Sequence, residues 1–394
     1  MAENKHTSYD LVQMQSLPLE AKIEMTKRRI EEWYKAWKKY TIVDRKTGKT
    51  RYVTWTEEPN KAGCFRKKVK TVDGQKTEVD VMVSGTRLKP TEYVDSCEDG
   101  QVYVSFSGGK DSTALKHIVD SMYKDVPALF INTGLEYPEI QKFARAQGGV
   151  IEVRPEMRFD EVIKKYGYPI VSKEIAHKMH DVRTAEKNGR VNSYAVRKLN
   201  GTYISKNGKT GNSCTKWKFL LNAPFSISHK CCDVMKKNPA STFERETGRK
   251  PITGTMASES QTRGLSWIKH GCNAFDKGRP SSQPMSFWKE SDVLEYIKRY
   301  EVPICSVYGS IDGDIANPKE LTTSKLRRTG CIFCGFGCSF DKTPNRFQLL
   351  KETHPRQYDY CINGGEYNEE GQWQPSKDGL GLGKVLDYIG VPYE

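Results

Sequence analysis

The segment Val102-Tyr-Val-Ser-Phe-Ser-Gly-Gly-Lys-Asp-Ser-Thr113 predicts a buried strand, a glycine-rich turn and the start of a helix. Its first five residues continue an apolar pattern, and Ser107-Gly-Gly109 ends that pattern. Asp111-Ser-Thr113 suits a helix N-terminus, and apolar residues at helical spacing follow it. Glycines let a ligand approach the backbone closely, and the free N–H groups of a helix N-terminus attract anions. The turn is therefore predicted to bind phosphate.

The order of residues in this turn differs from that of the Walker P-loop. Val104 stands where the Walker pattern has its first glycine, and Asp111 follows Lys110 where that pattern has Ser or Thr. The motif resembles the PP-loop of the ATP-pyrophosphatase and adenine nucleotide α-hydrolase-like superfamily, whose members usually cleave ATP to AMP and pyrophosphate. The resemblance implies an adenine nucleotide bound by the residues of the turn: Ser107, Gly108, Gly109, Lys110, Asp111, Ser112 and Thr113.

Strand and helix patterns alternate after this motif. Strands are predicted at 128–132, 150–153 and 251–255, and a helix at 159–166. Such alternation is typical of a parallel α/β sheet that binds ligands at the carboxyl ends of its strands. The loop Thr133–Glu139 follows the second strand, and its Thr133 and Glu136 are predicted to contact the nucleotide or Mg²⁺.

The chain ahead of the motif has a different pattern. An amphipathic helix is predicted at 19–34, followed by strands at 40–44 and 50–55 and a second hairpin formed by 61–70 and 79–83. The predicted fold class is α/β, with a parallel-sheet, Rossmann-like PP-loop domain, a small β-rich N-terminal insertion and a C-terminal cysteine-rich region. The predicted segments are a helix at 1–38, the basic insertion at 39–98, the nucleotide domain at 99–320 and the CxxC region with a helical tail at 321–394.

The chain carries a net charge of +14, and most of the excess lies in one region. Residues 160–250 contain 19 Lys and Arg against 8 Asp and Glu. A basic surface favours a polyanionic partner such as nucleic acid, although a solvated surface without a partner gives the same composition. Aromatic residues are interleaved with these charges, and each of them suits base stacking or the core: Tyr194, Tyr203, Trp217 and Phe219.

The distribution of apolar residues bears on the location of the protein. No apolar run approaches the roughly 20 residues that span a bilayer, and the N-terminus has no apolar signal segment. We therefore expect a cytoplasmic protein without a membrane partner. In that compartment, eleven cysteines favour metal binding or redox chemistry over structural disulfides.

Two cysteine pairs stand out, Cys231-Cys232 and Cys331-Ile-Phe-Cys334. A CxxC turn presents two thiolates to one metal centre. Zinc usually has two CxxC-like knuckles, whereas a [4Fe–4S] cluster needs four thiolates, which these pairs supply. Buried free thiols without a metal are the third interpretation.

The spacing of the two pairs resembles the cluster signature of iron–sulfur adenosine-5′-phosphosulfate reductases. That resemblance implies a [4Fe–4S] cluster bound by Cys231, Cys232, Cys331 and Cys334. Other segments similar to that family surround the pairs: Lys230–Lys236, Gly254–Arg263, Pro284–Ile297 and Arg328–Gly337. We therefore expect a member of the phosphoadenosine phosphosulfate reductase family, with similarity over about residues 100–360 and the helix at 19–37.

The chain also departs from the reductases. Assimilatory reductases carry a catalytic cysteine in a Glu-Cys-Gly-x-His-like motif near the C-terminus, whereas the last cysteine here, Cys361, has a different context. Lys110 and Asp111 instead look like the residues of ATP-using members, including sulfate adenylyltransferase small subunits, DNA phosphorothioation proteins and tRNA thiolases. Lys110 is expected to neutralise phosphate, and Asp111 with Ser112 to bind Mg²⁺.

The sequence leads to three functional hypotheses. The first is an ATP-dependent, adenylating sulfur-transfer enzyme that modifies DNA or tRNA, with Lys110, Asp111 and Arg263 as catalytic residues. A cysteine desulfurase is the expected type of sulfur-donor protein. The second is a sulfonucleotide reductase that releases sulfite with a thiol reductant, and the third is an inactive module that binds nucleotide and nucleic acid. Four residues have weaker candidate roles: Lys173 and Lys236 as anion ligands, and Cys214 and Cys338 as sulfur-carrying thiols.

Overall fold

The computed structural model describes residues 4–70, 78–82, 87–190, 192–205, 208 and 214–394, with backbone alone for 66–70 and 78–82. The chain forms two compact units. Unit 1 consists of Met1–Ile131, Pro138–Val153 and Ala240–Arg328. Unit 2 consists of Asn132–Tyr137, Arg154–Pro239 and Thr329–Glu394.

The strands are short, and most belong to unit 1. In chain order they are β1 (Lys38–Asp44), β2 (Thr50–Trp55), β3 (Arg66–Lys70), β4 (Glu78–Met82), β5 (Glu92–Glu98), β6 (Val102–Phe106), β7 (Ala128–Ile131), β8 (Val150–Val153), β9 (Ile170–Val171), β10 (Lys250–Thr253), β11 (Asn273–Ala274), β12 (Ser281–Ser282), β13 (Ile311–Asp312), β14 (Thr322–Thr323), β15 (Gly335–Phe336), β16 (Glu366–Tyr367) and β17 (Trp373–Gln374).

The helices are of three kinds. The α-helices are α1 (Ser8–Ser16), α2 (Leu19–Ala36), α3 (Lys110–Met122), α4 (Pro138–Ala146), α5 (Phe159–Tyr166), α6 (Lys173–Lys187), α7 (Tyr194–Leu199), α8 (Asn238–Thr247), α9 (Gln261–His270), α10 (Glu290–Arg299), α11 (Arg346–Thr353), α12 (Pro355–Ile362) and α13 (Leu382–Ile389). One π-helical turn spans Asp233–Lys237, and 3₁₀ turns span Thr215–Asn222, Ala257–Glu259, Ser306–Tyr308, Pro318–Glu320 and Cys338–Phe340.

A six-stranded sheet organises unit 1, with the strand order β11-β12-β10-β6-β7-β8. All neighbouring strands are parallel except β11, which is antiparallel to β12. The central β6 is covered on both sides, so Val102, Val104 and Phe106 are buried and the strand is apolar throughout. The predicted α/β class with a mostly parallel, Rossmann-like sheet is confirmed, as are the predicted strands at β6, β7, β8 and β10.

The N-terminal part of unit 1 has the predicted β-rich character. Helix α2 buries Ile23, Ile30 and Trp33 on its apolar face, as its periodicity predicts. Strands β2, β1 and β5 form an antiparallel sheet over a small apolar cluster that includes Tyr40 and Phe65. The second hairpin is also present, because β3 and β4 pair in antiparallel register. Residues 71–77 and 83–86, part of the predicted insertion, lie outside the described residues.

Glu92 stabilises this N-terminal sheet through a half-buried ion pair with Arg51. Its carboxylate accepts hydrogen bonds from Arg51 Nε and Nη2 at 3.0 and 2.7 Å. These bonds, with one from the Lys89 N–H, lower the pKa of Glu92 to about 2 from an ordinary 4.5. A depressed carboxyl pKa stabilises the folded state above the unfolded pKa, and this contribution declines as the pH falls from about 4.5 towards 2.

Replacing Glu92 with Gln is expected to lower the free energy of unfolding at pH 7 by about 1 kcal/mol, because solvent around Arg51 screens part of the interaction. Urea unfolding at pH 7 and pH 3.5 measures the difference, which should shrink at the lower pH. Glu98→Gln on the same strand is the control, since Glu98 is 64 % exposed and lies 4.0 Å from Lys39. An equal loss in both variants would contradict the assignment.

Unit 2 is built mainly from helices. The parallel pair β9 and β15 connects α6 to the CxxC segment, and α11, α12 and α13 form its C-terminal part. Helix α13 buries one apolar face, in which Val385 and Leu386 are inaccessible to solvent. Cys361, the last cysteine of the chain, is likewise fully buried in α12. It is therefore a core residue in this unit.

The lengths and compositions of the helices bear on membrane insertion. In the ranges that the structure describes, none of the helices combines the length and the apolar composition needed to cross a bilayer.

Candidate functional site

The turn of unit 1 that is predicted to bind phosphate requires glycine at its tightest point. Gly108 has a φ of +71°, and a Cβ atom there would lie 2.8 Å from Ile140 Cγ2. A side chain at this position would therefore be strained by both its backbone conformation and its neighbour. Gly254, after β10, has a similar role, since its Cβ would lie 3.0 Å from the Asp111 carbonyl oxygen.

Hydroxyl groups hold the turn in shape. Ser112 Oγ accepts a hydrogen bond from the Ser107 N–H at 3.2 Å and lies 3.1 Å from Ser107 Oγ. Ser112 and Thr113 each donate to the Gly109 carbonyl at 2.9 Å. Both side chains are buried, so the start of α3 is rigid before any ligand binds. This arrangement keeps the first N–H groups of α3 at the end of β6, where an anion is favoured.

Lys110 is the first residue of α3, and its side chain is almost fully buried. Its Nζ lies 3.2 Å from Glu290 Oε1 and donates to the Arg327 carbonyl at 3.0 Å. A buried ammonium needs a counter-ion, and Glu290 supplies it. Burial raises the pKa of Glu290, but its contacts with Arg327 and Lys110 outweigh burial and leave that pKa below the ordinary value.

Asp111 is a carboxylate among positive charges. Burial raises its pKa above the ordinary value, and the charge of Glu290 acts in the same direction. Lys110, Arg328 and Arg263 oppose this shift, so all three cations lie close enough to act on the carboxylate. The three predicted catalytic residues of unit 1, Lys110, Asp111 and Arg263, therefore share one neighbourhood.

Arg263 lies in the first turn of α9, which Ser260 caps through a hydrogen bond to the Arg263 N–H. Its guanidinium forms an ion pair with Glu259 and is partly exposed. Burial, followed by the charge of Arg328, lowers the pKa of Arg263. Two arginines that repel each other beside a partly exposed turn suit a polyanionic ligand.

Sequence reasoning missed Glu290, Arg327 and Arg328 as parts of this site. Arg327 donates to Glu290 Oε2 from Nε and Nη2 at 3.1 and 2.6 Å, so Glu290 bridges Arg327 and Lys110. Glu290 lies inside the segment Pro284–Ile297 that carries the family resemblance. This position at the start of a helix was the sequence signal that could have identified Glu290. No spacing rule connects Glu290 to Lys110.

Thr133 and Glu136 lie in unit 2 and bind each other. Glu136 accepts hydrogen bonds from the Thr133 N–H at 3.0 Å and from Thr133 Oγ1 at 2.8 Å. Thr133 is buried, and the charge of Glu136 acts on both Lys236 and Cys331. Glu136 therefore lies close to the paired cysteines of unit 2. Its predicted contact with ribose or Mg²⁺ stays a prediction.

The pair Cys231-Cys232 directly precedes a π-helical turn, Asp233–Lys237, which leads into α8. Ser228 Oγ accepts from the Lys230 N–H, and the Lys230 carbonyl accepts from the Asp233 N–H, both at 2.9 Å. π-Helical turns are rare and occur frequently at functional sites, where they change the direction of neighbouring side chains. Cys231 and Cys232 therefore lie at the start of a helical segment that continues through the π-helical turn into α8.

The second pair lies in a loop held from several sides. The Cys334 N–H donates to the Cys331 carbonyl at 3.1 Å, and the Ile332 N–H donates to the Leu135 carbonyl at 2.8 Å. The Gly337 N–H donates to the carbonyl of Val171, a β-branched residue with a φ of +62°. A valine in this region is strained, and such strain is common near functional sites.

The four predicted metal ligands lie near one another in unit 2. Burial, followed by the proximity of Cys232, Cys331 and Cys334, raises the pKa of Cys231 far above its ordinary range. Burial, followed by Cys331, raises the pKa of Cys334 to about 11. Four thiols close to one another, with Cys231 buried, the other three half-buried and Lys236 beside them, form a donor set that fits an iron–sulfur cluster.

Among the residues that the structure describes, no three His, Cys, Asp or Glu side chains are arranged to bind a single metal ion. A single ion needs its ligands gathered around one point, whereas a four-iron cube binds one thiolate at each iron. The donor set and its chemistry, rather than any single-ion geometry, therefore carry the fit to a cluster.

Lys236 and Lys173 differ in their surroundings. Burial lowers the pKa of Lys236, but Cys331, Glu136 and Cys232 together raise it above the ordinary value. Lys173 is exposed and lies 3.2 Å from Asp233. Lys236 therefore neutralises negative charge near the cysteines, while Lys173 connects α6 to the π-helical turn.

All eleven cysteines lie in described residues and are free thiols. Cys214 and Cys338, the candidate sulfur carriers, are both buried. Cys338 Sγ lies 2.9 Å from the Gly335 carbonyl, to which it donates. Burial raises the pKa of both thiols, so neither is a ready nucleophile in this state.

Arg346 at the start of α11 holds the CxxC loop. Its Nη1 donates to the carbonyls of Cys334 and Phe336 at 3.1 and 3.0 Å, and its Nε and Nη2 donate to Asp341 at 2.6 and 3.0 Å. Arg346→Met is expected to lower the free energy of unfolding by about 2 kcal/mol, because two carbonyls and a carboxylate lose their donors.

The midpoint of urea unfolding measures this loss, and Arg158→Met is the matched control. Arg158 pairs with Asp160 but is 75 % exposed, so its replacement should change little. Equal midpoints for Arg346→Met and the wild type would show that the loop does not depend on the arginine.

Similarity to known proteins shows the family of the chain. The chain is similar to an uncharacterised protein of Methanocaldococcus jannaschii, with 29 % identity over 148 residues. That similarity covers 33 % of this chain and 36 % of the relative, so the chain spans about a third of that protein's length. The sequence pattern of the phosphoadenosine phosphosulfate reductase domain matches residues 101–187 and 199–335, which include the PP-loop and all four paired cysteines. These residues make up more than half of the chain, which therefore belongs to the phosphoadenosine phosphosulfate reductase family.

Proposed function

We propose that this protein is an ATP-dependent sulfur-transfer enzyme that adenylates an oxygen of a nucleic acid and releases pyrophosphate. The observation that carries the proposal is the buried Lys110 at the start of α3, beside Asp111, Arg263 and Arg328. A rigid turn with these cations suits the phosphates of ATP, and the neighbouring carboxylates suit the Mg²⁺ that accompanies them.

Adenylation makes a poor leaving group into a good one. The acceptor oxygen forms a bond to the α-phosphorus of ATP, and the bond from that phosphorus to the bridging oxygen breaks, with its electrons leaving on pyrophosphate. Sulfur at the oxidation level of sulfide then forms a bond to the acceptor atom, and the oxygen leaves with AMP. Both steps balance without an external oxidant.

The residues of unit 1 have separate tasks in the first step. The N–H groups at the start of α3 and the Lys110 ammonium hold phosphate oxygens, while Arg263 and Arg328 neutralise charge that develops on pyrophosphate. Glu290 is the counter-ion of Lys110, so phosphate oxygens would share or replace that contact. Asp111 and Ser112 would hold Mg²⁺ and orient the β- and γ-phosphates.

Cys231, Cys232, Cys331 and Cys334 would hold a [4Fe–4S] cluster, with Lys236 compensating its negative charge. When bound, such a cluster would supply a place for the sulfur atom that is transferred. Arg346 and the strained Val171 keep the CxxC loop in place, and the π-helical turn orients the other pair.

The nucleic-acid acceptor is proposed from charge. The net charge of +14 and the surplus of Lys and Arg over residues 160–250 favour a polyanionic substrate. DNA and tRNA share this chemistry. The sulfur would come from a persulfide-forming protein of the cysteine desulfurase type, together with a thiol that reduces the persulfide to the sulfide level.

Exchange of labelled pyrophosphate into ATP tests the proposal. With Mg²⁺ and nucleic acid present, the protein should catalyse exchange, because adenylation is reversible before sulfur enters. Incubation with the sulfur donor should then place labelled sulfur in the nucleic acid. Absence of exchange with both DNA and RNA acceptors would contradict the proposal.

Sulfonucleotide reduction is the second candidate, because the matched domain is described as a phosphoadenosine phosphosulfate reductase domain. It predicts sulfite release from phosphoadenosine phosphosulfate or adenosine phosphosulfate with a thiol reductant. Sulfite release without pyrophosphate exchange would favour this function over adenylation.

A further inference from the structure

A surface of unit 2 carries aromatic rings and lysines side by side. We call it the basic aromatic surface and define it by six residues: Lys178, Tyr194, Tyr203, Lys216, Phe219 and Phe340. These residues come from α6, α7, the 3₁₀ turns Thr215–Asn222 and Cys338–Phe340, and the segment after α7. None of them has a role in the PP-loop or at the paired cysteines.

One half of the surface is centred on Tyr194, which is 46 % exposed. Lys178 Nζ lies 4.4 Å from the centroid of this ring, and Tyr203 contacts it edge to face at 4.8 Å. Lys198 Nζ lies 4.7 Å from the centroid of Tyr203. Cations over ring faces keep positive charge within the same patch as the rings.

The other half is centred on Lys216, an exposed residue. Its Nζ lies 4.9 Å from the Trp217 ring and 5.7 Å from the Phe340 ring. Phe340 is 69 % exposed and Phe219 is 41 % exposed, and Trp217 contacts Phe219. Exposed phenylalanines carry a solvation cost, so their placement among lysines calls for a ligand with both charge and flat apolar faces.

The two halves of the surface lie on elements that pack against each other. Helix α6 packs against α7 and against Thr215–Asn222, and α7 packs against Thr215–Asn222. The Cys214 N–H also donates to the Lys198 carbonyl at 3.3 Å, which joins the end of α7 to the start of that turn. The rings and cations of the two halves therefore lie on elements of unit 2 that pack against one another.

We propose that the basic aromatic surface binds single-stranded nucleic acid, which deepens the proposed function by naming the state of its acceptor. The role of the bound strand as acceptor rests on the proposed function, whereas the binding of the strand does not. Lys216, which is exposed, suits a phosphate, and exposed rings suit base faces. Bases in a duplex already stack on each other, so only an unpaired strand offers faces to Tyr194, Phe219 and Phe340.

Fluorescence anisotropy without ATP tests the surface. The full chain is titrated into labelled single-stranded DNA, single-stranded RNA of the same sequence, and the corresponding DNA duplex. We expect at least one single strand to bind about tenfold more tightly than the duplex, and the comparison of DNA with RNA identifies the acceptor class. Equal or tighter binding of the duplex would overturn the proposal.

Variants connect the binding to the rings. Tyr194→Ala and Phe340→Ala should each weaken single-strand binding about tenfold, the effect expected for one lost stacking platform. Tyr52→Ala is the matched control, because Tyr52 in unit 1 is 61 % exposed and has Lys39 Nζ 4.2 Å from its ring centroid. Affinities equal to the wild type for Tyr194→Ala and Phe340→Ala would overturn the assignment of the surface.

The salt dependence gives a second measurement. Lys216→Gln should reduce the slope of log affinity against log salt by about 0.7, the value for one lost phosphate contact with a single strand. Lys39→Gln should leave the slope unchanged, and an unchanged slope for Lys216→Gln would count against the surface. Pyrophosphate exchange is measured separately. Single-strand binding without exchange would contradict the proposed function. Exchange without a preference for single strands would contradict the assignment of this surface.

Discussion

Alanine in place of Lys110 is expected to lower pyrophosphate exchange by a factor of about 10² to 10³, the effect of removing one preorganised charge from a transition state. Lys110 is almost fully buried and cannot be replaced by a neighbouring lysine of α3 or by solvent cations. Its ammonium is held in place by Glu290 and the Arg327 carbonyl. Loss of the charge should reduce kcat more than it raises KM for ATP.

Asp111→Ala should lower exchange by a similar factor, and additional Mg²⁺ should not restore it. Lys124→Ala is the control, because Lys124 is exposed near the end of the same helical segment. Circular dichroism checks that each variant folds. Exchange at the wild-type rate in both Lys110→Ala and Asp111→Ala would contradict the assignment of the PP-loop as the ATP site.

Loss of bound iron is the second large effect. Protein purified without oxygen is expected to contain about four irons per chain and to show the broad visible absorption of a cubane cluster. Cys331→Ser with Cys334→Ser should remove both, because two of four thiolates cannot hold the cube. The measurement is iron content with the absorption spectrum, so it does not depend on knowing the acceptor.

Cys97→Ser is the matched control for iron binding. Cys97 is an exposed cysteine on β5 of unit 1 and lies outside the paired cysteines. It should retain iron at the wild-type level. Zinc or no metal in the wild type, or iron unchanged in the double variant, would contradict the cluster and leave the PP-loop proposal to stand on exchange alone.

The PP-loop shows what sequence alone can predict. Apolar residues at β6, two glycines and the residues Asp111-Ser-Thr113 in the first turn of α3 act over a few positions, and their local preferences agree with the fold. The positions of β7, β8 and β10 follow from short apolar runs in the same way. Local patterns therefore predicted the sheet and the strand–turn–helix geometry of the PP-loop, while phosphate binding by the turn stays a prediction.

Glu290 shows where such reasoning stops. Its role depends on the approach of Lys110 and Arg327 to its carboxylate, over separations of 180 and 37 residues, and no local pattern encodes that meeting. The sequence analysis also did not predict the π-helical turn after Cys232. In this turn the Asn238 N–H donates to the Asp233 carbonyl five residues earlier, directly before Pro239, which has no N–H to donate.

Sequence periodicity did not distinguish buried from exposed aromatic residues. Tyr194 and Phe219 lie in short helices with cations around them, and both the core and a stacking surface fit that composition. Their exposure in the structure shows that neither ring belongs to the core, and base stacking stays a prediction. The charge surplus of residues 160–250 was readable, whereas the side-by-side arrangement of rings and lysines depends on the packing of α6, α7 and Thr215–Asn222.

The fate of ATP tests the central claim most directly. The protein is incubated with α-labelled ATP, Mg²⁺, a single-stranded nucleic acid and a sulfide source, and the products are separated. We predict AMP and pyrophosphate in equal amounts, with one thiolated acceptor for each AMP. ADP with phosphate, or ATP left intact while sulfite is released from a sulfonucleotide, would contradict the account.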